Sequence, residues 1–370
     1  MRIAFDAHAI GSRLTGNETY ARNLLRALLA VDRENEYRVY LKRDLPPDED
    51  VPAAPNAVAS RSLSGSRFKR LFVEMPRALK GDRPDVLHVQ YIAPRAGKVP
   101  VVASVHDISF ERHPEWFTAR ERIGFRLLIP RTVKRARVVL ALSEHTRADL
   151  ISIYGADPEK VVTVPPGVGP EFRPRPANEV ADARRRHGIE GPFVLAIGNV
   201  QPRKNLVRLS RAFELARRSA GFPGSLVLAG QRGFRAEEIL DRVRGNGAAP
   251  VRVTGFLPVG DLAALLTDCA AFVYPSLYEG FGLPVIEAMA CGAPVVTSST
   301  SALPEAAGGA ALLVDPADES AIALALARLL SDRGLAAGLG SAGRERAARA
   351  TWESAAGLAL AAYRRAAGKD

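Results

Sequence analysis

The sequence predicts an α/β protein of two doubly wound, Rossmann-like domains. Three observations carry that reading: short apolar runs alternate with amphipathic helical stretches, the runs are continuous in Val, Ile and Leu, and a proline- and glycine-rich break divides the chain near its middle. The runs fall at 3–7, 86–89, 101–105, 138–142, 161–164, 193–197, 226–229, 251–254, 271–274, 294–297 and 311–314. Helical candidates lie between most of them, such as 18–30, 144–154, 206–219 and 320–330. An apolar run without polar interruption marks a strand buried on both faces, hence a parallel sheet covered by helices. The break at 165–176 reads as a linker. The expected organisation is a first domain over 1–170, a second over 171–350, and a helix over 351–370 packing back on the first. Two such domains place a ligand cleft at the carboxyl edges of their sheets.

Composition narrows the field. At 370 residues the chain exceeds one ordinary core. No run approaches the ~20 apolar residues of a spanning helix. The start, Met1-Arg2-Ile3-Ala4-Phe5-Asp6, lacks the apolar core of a signal peptide, which predicts a cytoplasmic protein. Cys269 and Cys291 have no CxxC or CxxH companion, so buried free thiols are expected and no metal site. The net charge of +11 suits nucleic acid, acidic membrane or anionic substrate. No zinc finger, RNP or helix-turn-helix signature supports nucleic acid.

Four stretches carry chemistry. Asp6-Ala7-His8 and Gly11 to Asn17 lie between the first strand and first helix, where Gly16 lets backbone approach a ligand and the helix start attracts anions. On the residues alone this loop reads equally as a plain connector. Gly198 to Asn205 follows the run 193–197 and opens the helical stretch 206–219, which sets Arg203 and Lys204 at a helix N-terminus. Cations there oppose the helix dipole, by roughly 0.3–1 kcal/mol each, and a bound anion offsets that. Arg offers a planar fork and Lys a compact charge, and a diphosphate suits the pair.

Glu279-Gly280-Phe281-Gly282-Leu283-Pro284-Val285-Ile286-Glu287 places two carboxylates eight positions apart around a Gly-x-Gly turn. Pro284 suits the first helical position, and the amides of Phe281, Gly282 and Leu283 then suit phosphate and sugar oxygens. Carboxylates accept from paired sugar hydroxyls. The apolar Ala288-Met289-Ala290-Cys291 predicts a buried helix, in which Glu287 requires a partner or ligand. Finally, His106-Asp107 directly follows the run 101–105, at the carboxyl end of a parallel strand where catalytic groups collect.

Together these pieces resemble the family-4 retaining glycosyltransferases, which have the GT-B fold. The likeness covers nearly the whole chain. Glu279 and Glu287 match the family's Glu-x7-Glu motif, and Arg203 with Lys204 its diphosphate-binding pair. Ala141 to Glu144 and Val164 to Val168 look like further family segments, and Thr15 to Tyr20 looks like the mannosyltransferase-type members that build O-antigen. The resemblance implies that Arg203 and Lys204 hold the donor diphosphate and that Glu287 binds the ribose hydroxyls. Glu279 contacts the donor sugar, and Phe281, Gly282 and Leu283 bind it through their amides. Gly16 and Gly198 complete the donor site, while His106 contacts the sugar and Asp107 orients it. It further implies front-face transfer with retention, no metal or other cofactor, and a hexose donor, with GDP-mannose ahead of UDP-sugars. The acceptor is a glycan or lipid-linked sugar in cell-surface polysaccharide synthesis. A small-acceptor transferase and a non-catalytic sugar-nucleotide-binding protein are the alternatives. Basic residues Arg61, Arg67, Lys69, Arg70, Arg77 and Lys80, with Arg120 to Arg137 around Ile123, Phe125, Leu127 and Leu128, read equally as a solvated face or as a peripheral contact with anionic membrane.

Overall fold

Among the described residues thirteen strands run parallel to their neighbours, in two sheets. The computed structural model of the chain describes residues 1–11, 15–45, 54–245 and 250–369. Ser12, Arg13 and Leu14 of the glycine-bearing loop lie outside the described residues. The strands are β1 (Arg2–Asp6), β2 (Glu36–Lys42), β3 (Ala57–Leu63), β4 (Val86–Gln90), β5 (Val101–Val105), β6 (Val138–Ala141) and β7 (Val161–Thr163). They continue as β8 (Phe193–Ile197), β9 (Ser225–Ala229), β10 (Val251–Gly255), β11 (Ala271–Tyr274), β12 (Val295–Ser298) and β13 (Leu312–Val314).

The chain divides into two units, each Rossmann-like. One holds Met1–Arg112, Thr118–Gly167 and Thr351–Asp370, the other His113–Phe117 and Val168–Ala350. The first sheet has the order β3-β2-β1-β4-β5-β6-β7, the second β10-β9-β8-β11-β12-β13. In both, the order reverses once, between β1 and β4 and between β8 and β11. Crevices for ligands open outside the carboxyl ends of strands at such a reversal.

The continuous apolar runs explain the central strands: β4, β5, β6, β11 and β12 are buried at every position. In the second unit Leu209 and Phe213 of the helix Leu206–Ser219 and Ile322 and Leu326 of the helix Glu319–Ser331 cover the sheet with no exposed surface. Each such side chain contributes roughly 1.5–3 kcal/mol on burial. β2 and β3 are absent from the apolar runs read in the sequence. In β2 Tyr37, Val39 and Leu41 are buried while Glu36, Arg38 and Lys42 are not, and β3, at the sheet edge, is buried only at Leu63. Polar residues therefore interrupt both, and only β2 carries a period-2 pattern.

The helix Trp352–Ala367 packs in the first unit against the helix Thr15–Val31 and against β4, β5 and β6. Ala355, Ala356 and Ala359 are fully buried, so their small side chains let the helix approach closely. Where this helix begins, the chain passes Gly167. A Cβ there would stand 2.2 Å from the Trp352 amide nitrogen, so only glycine fits. Among the described residues no helix is long and apolar enough to cross a membrane.

Candidate active site

At the reversal of the second sheet, the loops after β8 and β11 meet. The Leu277 amide donates to the Arg203 carbonyl (2.8 Å), and the Asn205 side-chain amide donates to the carbonyls of Pro275 and Pro316 (3.2 and 2.7 Å). Arg203 and Lys204 do not stand in the first turn of the following helix. They occupy a separate 3-10 turn, Pro202–Lys204, and Asn205 in the left-handed region starts the helix Leu206–Ser219. Asn tolerates that conformation better than most residues.

The anion that this cationic pair calls for is supplied by Glu279. Lys204 Nζ donates to its Oε1 at 2.6 Å and Arg203 to its Oε2 at 3.2 Å. The Tyr274 hydroxyl donates to Oε1 at 3.1 Å and also accepts from Lys204 Nζ, which lies 4.5 Å from the Tyr274 ring centroid. Burial alone would raise the Glu279 pKa, but the Arg203 and Lys204 charges outweigh it and bring it down to about 2. Burial and the neighbouring Glu279 charge push the Tyr274 phenol far above its ordinary value, so it stays a donor. Two cations against one carboxylate leave the pocket net positive, which is what a diphosphate needs. Tyr274 was not singled out in the sequence; a tyrosine at the end of an apolar run gave no sign of its partner.

Gly198 makes this arrangement possible. Its φ is +135°, and a Cβ would stand 2.7 Å from Lys204 Cε. Gly198→Ala is therefore expected to push the lysine stem aside and weaken nucleotide binding about tenfold or more, with the fold intact by circular dichroism. Unchanged binding in a calorimetric titration would remove Gly198 from the site.

The helix Leu283–Ala290 starts at Gly282, whose φ of +107° only glycine adopts readily, with Pro284 at its beginning. Among the described residues the amides of Phe281, Gly282 and Leu283 donate to no protein acceptor, and Phe281 is buried. They form a set of donors at a helix N-terminus, ready for an anion or hydroxyl. One turn on, Glu287 is buried. Burial first, and the Glu171 charge second, raise its carboxyl to about 8. Its carboxylate makes no hydrogen bond among the described residues. The two glutamates thus differ sharply, one ionised within a cation pair and one held protonated at neutral pH.

The first unit carries the remaining candidates. His106 follows β5 and is buried against the rings of Tyr20 and Tyr91, with centroids 4.6 and 5.0 Å away. Burial, then the nearby His88, lowers its pKa to about 3, so the imidazole is neutral. Its Nε2 is buried and has no hydrogen-bond partner among the described residues. The Asp107 carboxylate accepts from the amide and hydroxyl of Ser109 (2.9 and 2.7 Å). Gly16 is exposed with open space where a Cβ would lie. Asp6 and His8, after β1, form a cluster with Arg70: His8 Nδ1 lies 2.9 Å from Asp6 Oδ1 and 3.0 Å from an Arg70 nitrogen, and Arg70 pairs with Asp6. Arg70 is buried and so leaves the basic surface to which its sequence neighbours assigned it. Both cysteines are buried and free.

Known proteins share this architecture. Residues 14–172 match the description Glycosyltransferase Family 4, and residues 179–346 match Glycosyl transferases group 1. The chain is 28% identical to the O-antigen chain mannosyltransferase B of Escherichia coli, over 98% of this chain and 100% of that protein. It is 32% identical to a D-inositol 3-phosphate glycosyltransferase of Stackebrandtia nassauensis, over 85% of this chain and 76% of that one. In fold it is similar to the sucrose-phosphate synthase of Thermosynechococcus elongatus, with a TM-score of 0.75, 24% identity, and 98% of each chain covered. Two parallel-sheet units, the motif residues on their carboxyl edges and full-length likeness to known transferases lead to one conclusion: the chain belongs to the family-4 glycosyltransferases of the GT-B fold, in a mannosyltransferase-like group.

Proposed function

We propose that the chain is a retaining, metal-independent hexosyltransferase. It moves mannose, ahead of other hexoses, from a nucleoside diphosphate, GDP ahead of UDP, to a glycan or lipid-linked acceptor in cell-surface polysaccharide synthesis. The observation that carries this is the Arg203–Lys204–Glu279 network, with Lys204 and Glu279 buried, at the reversal of the second sheet. A preorganised cationic site stabilises the charge that develops on a departing diphosphate, commonly the largest contribution to such a reaction. The bond from the anomeric carbon to the phosphate oxygen breaks, and one to the acceptor oxygen forms on the same face. The acceptor proton passes to the leaving phosphate. Glu287 takes the ribose hydroxyls, the amides of Phe281, Gly282 and Leu283 take sugar and phosphate oxygens, and Gly16 and Gly198 let backbone approach. His106, neutral and with Nε2 unpartnered among the described residues, takes a donor-sugar hydroxyl, next to Asp107. Likeness to an O-antigen mannosyltransferase across its full length supports mannose and a polysaccharide product. Likeness to an inositol-phosphate glycosyltransferase favours a small acceptor as the second reading.

Calorimetric titration with GDP, UDP, ADP and dTDP in EDTA tests the donor. Tight binding of one nucleotide, lost on Arg203→Ala, is expected; no binding, or binding only with added metal, overturns the reading. Acceptor screening with free sugars and lipid-linked sugars then separates the two acceptor classes.

The first unit also presents a face suited to anionic membrane. Phe68, Ile123 and Leu127 are 67, 57 and 50% exposed. The Phe68 and Phe72 rings pack 5.0 Å apart, the Arg95 guanidinium lies over Phe72 and that of Arg67 over Phe125. Aromatic rings amid arginines suit the headgroup region of an anionic bilayer. Co-sedimentation with phosphatidylglycerol vesicles is expected at low salt and reduced by Phe68→Ser; no binding at low salt removes this contact.

A further inference from the structure

We propose that Tyr91 is a positioning residue for His106, held against the imidazole by a strained turn at the reversal of the first sheet. The proposal rests on the reading of His106 given above. Tyr91 follows β4, beside β5 and its following His106. Its φ is +58°, and the Ile92 amide donates to the Gln90 carbonyl at 2.6 Å. A bond between residues two apart around a positive φ is a γ-turn of the strained kind. A bulky aromatic side chain strongly disfavours this region, and Tyr91 is the only aromatic residue in it among the described residues. Two of the four other non-glycine cases sit at helix ends: Arg83 caps a helix C-terminus, and Asn205 starts a helix. Tyr91 does neither. Such strain persists where surrounding structure over-determines it, and it concentrates at functional sites.

The surroundings here are specific. The Tyr91 amide donates to the Ser104 carbonyl at 2.9 Å, two residues before His106. The Ser104 hydroxyl is hydrogen-bonded to the Tyr20 hydroxyl (3.0 Å) and to His88 Nε2 (2.8 Å), and His88 Nδ1 to the Tyr363 hydroxyl (2.5 Å). Tyr91 and Tyr20 both lay rings against His106. A glycine would meet the backbone demand with less strain; the tyrosine instead places a ring against His106. It keeps the imidazole dry and fixed, with Nε2 uncommitted. The groups around that ring are His88, Tyr20 and Tyr91, with the Thr146 hydroxyl on its own carbonyl and Asp107 adjacent in the chain.

The test compares Tyr91→Phe, Tyr91→Gly, His106→Ala and the Tyr91→Gly/His106→Ala double variant. The His106 imidazole is titrated by NMR, and turnover is followed as GDP release from GDP-mannose. Tyr91→Gly relieves the backbone but removes the ring, so the His106 titration is expected to move up toward its ordinary 6.5. Turnover falls roughly tenfold to a hundredfold with GDP affinity unchanged. Tyr91→Phe restores both. The Gly substitution adds no further loss to His106→Ala. An unmoved His106 titration in Tyr91→Gly overturns the proposal, as does an equal loss on the His106→Ala background. Full turnover in His106→Ala alone would instead overturn the role given to His106, while the titration still reports whether Tyr91 positions it.

Discussion

Lys204→Met is expected to lower kcat/KM by two to three orders of magnitude and to lower Tm by on the order of 10 °C at neutral pH. Adding Glu279→Gln is expected to restore the stability and not the activity. The reason lies in where Lys204 sits. Its ammonium is buried and bonded to Glu279 and to the Tyr274 hydroxyl. Met keeps the stem volume beside Gly198 and removes only the charge. A buried carboxylate that loses a partner typically costs 3–5 kcal/mol; Arg203, which remains at 3.2 Å, offsets part of that. The amide of Gln carries no charge to bury, so the double variant recovers. In the proposed role the diphosphate still loses a cation, so activity does not. Because the Glu279 pKa is about 2 when folded against an ordinary 4.5, its contribution is present above pH 4.5 and disappears as pH falls toward 2. The Lys204→Met defect should therefore shrink in acid. Thermal melts from pH 3 to 8 check this; a double variant as unstable as the single would remove the ion pair as the cause.

The ligand-free protein is expected to lose stability between pH 4.5 and 8 because of Glu287, and Glu287→Gln to remove that loss. The folded pKa of about 8 lies above the ordinary 4.5. A raised carboxyl pKa means that the folded state holds the proton more tightly. Stability is then full below pH 4.5 and declines as pH rises through 8, by about 5 kcal/mol in total. Glu287→Gln should melt higher than the parent at pH 8 and close to it at pH 4.5. If ribose hydroxyls donate to Glu287 they favour its ionised form, so nucleotide binding at pH 7 should release a proton. Calorimetry in Tris and in phosphate would then give different apparent enthalpies. Equal enthalpies in the two buffers, with no loss of stability in the parent from pH 4.5 to 8, would mean that Glu287 is already ionised.

The sequence by itself determined the α/β class, because a parallel strand buried on both faces must read as an apolar run, as β4, β5, β11 and β12 do. It also determined which residues stand at strand ends, since Gly198, Arg203, Lys204 and His106 lie a few positions past such runs. Strands β2 and β3 show no such run, because one face of β2 is partly wet and β3, at the sheet edge, is exposed on both faces. Only the tertiary structure decided the partners. Lys204 and Tyr274 are 70 positions apart, and Arg70 and Asp6 are 64 apart. The left-handed backbone of Tyr91 left no compositional trace either, since a tyrosine is the last residue a positive φ suggests. Most telling are Glu279 and Glu287, identical in type and eight positions apart. One meets two cations and ionises readily; the other meets apolar surroundings and Glu171 and keeps its proton. Periodicity is a local property that a sequence displays directly, whereas ionisation is set by charges and solvent a few ångströms away, which folding alone brings together.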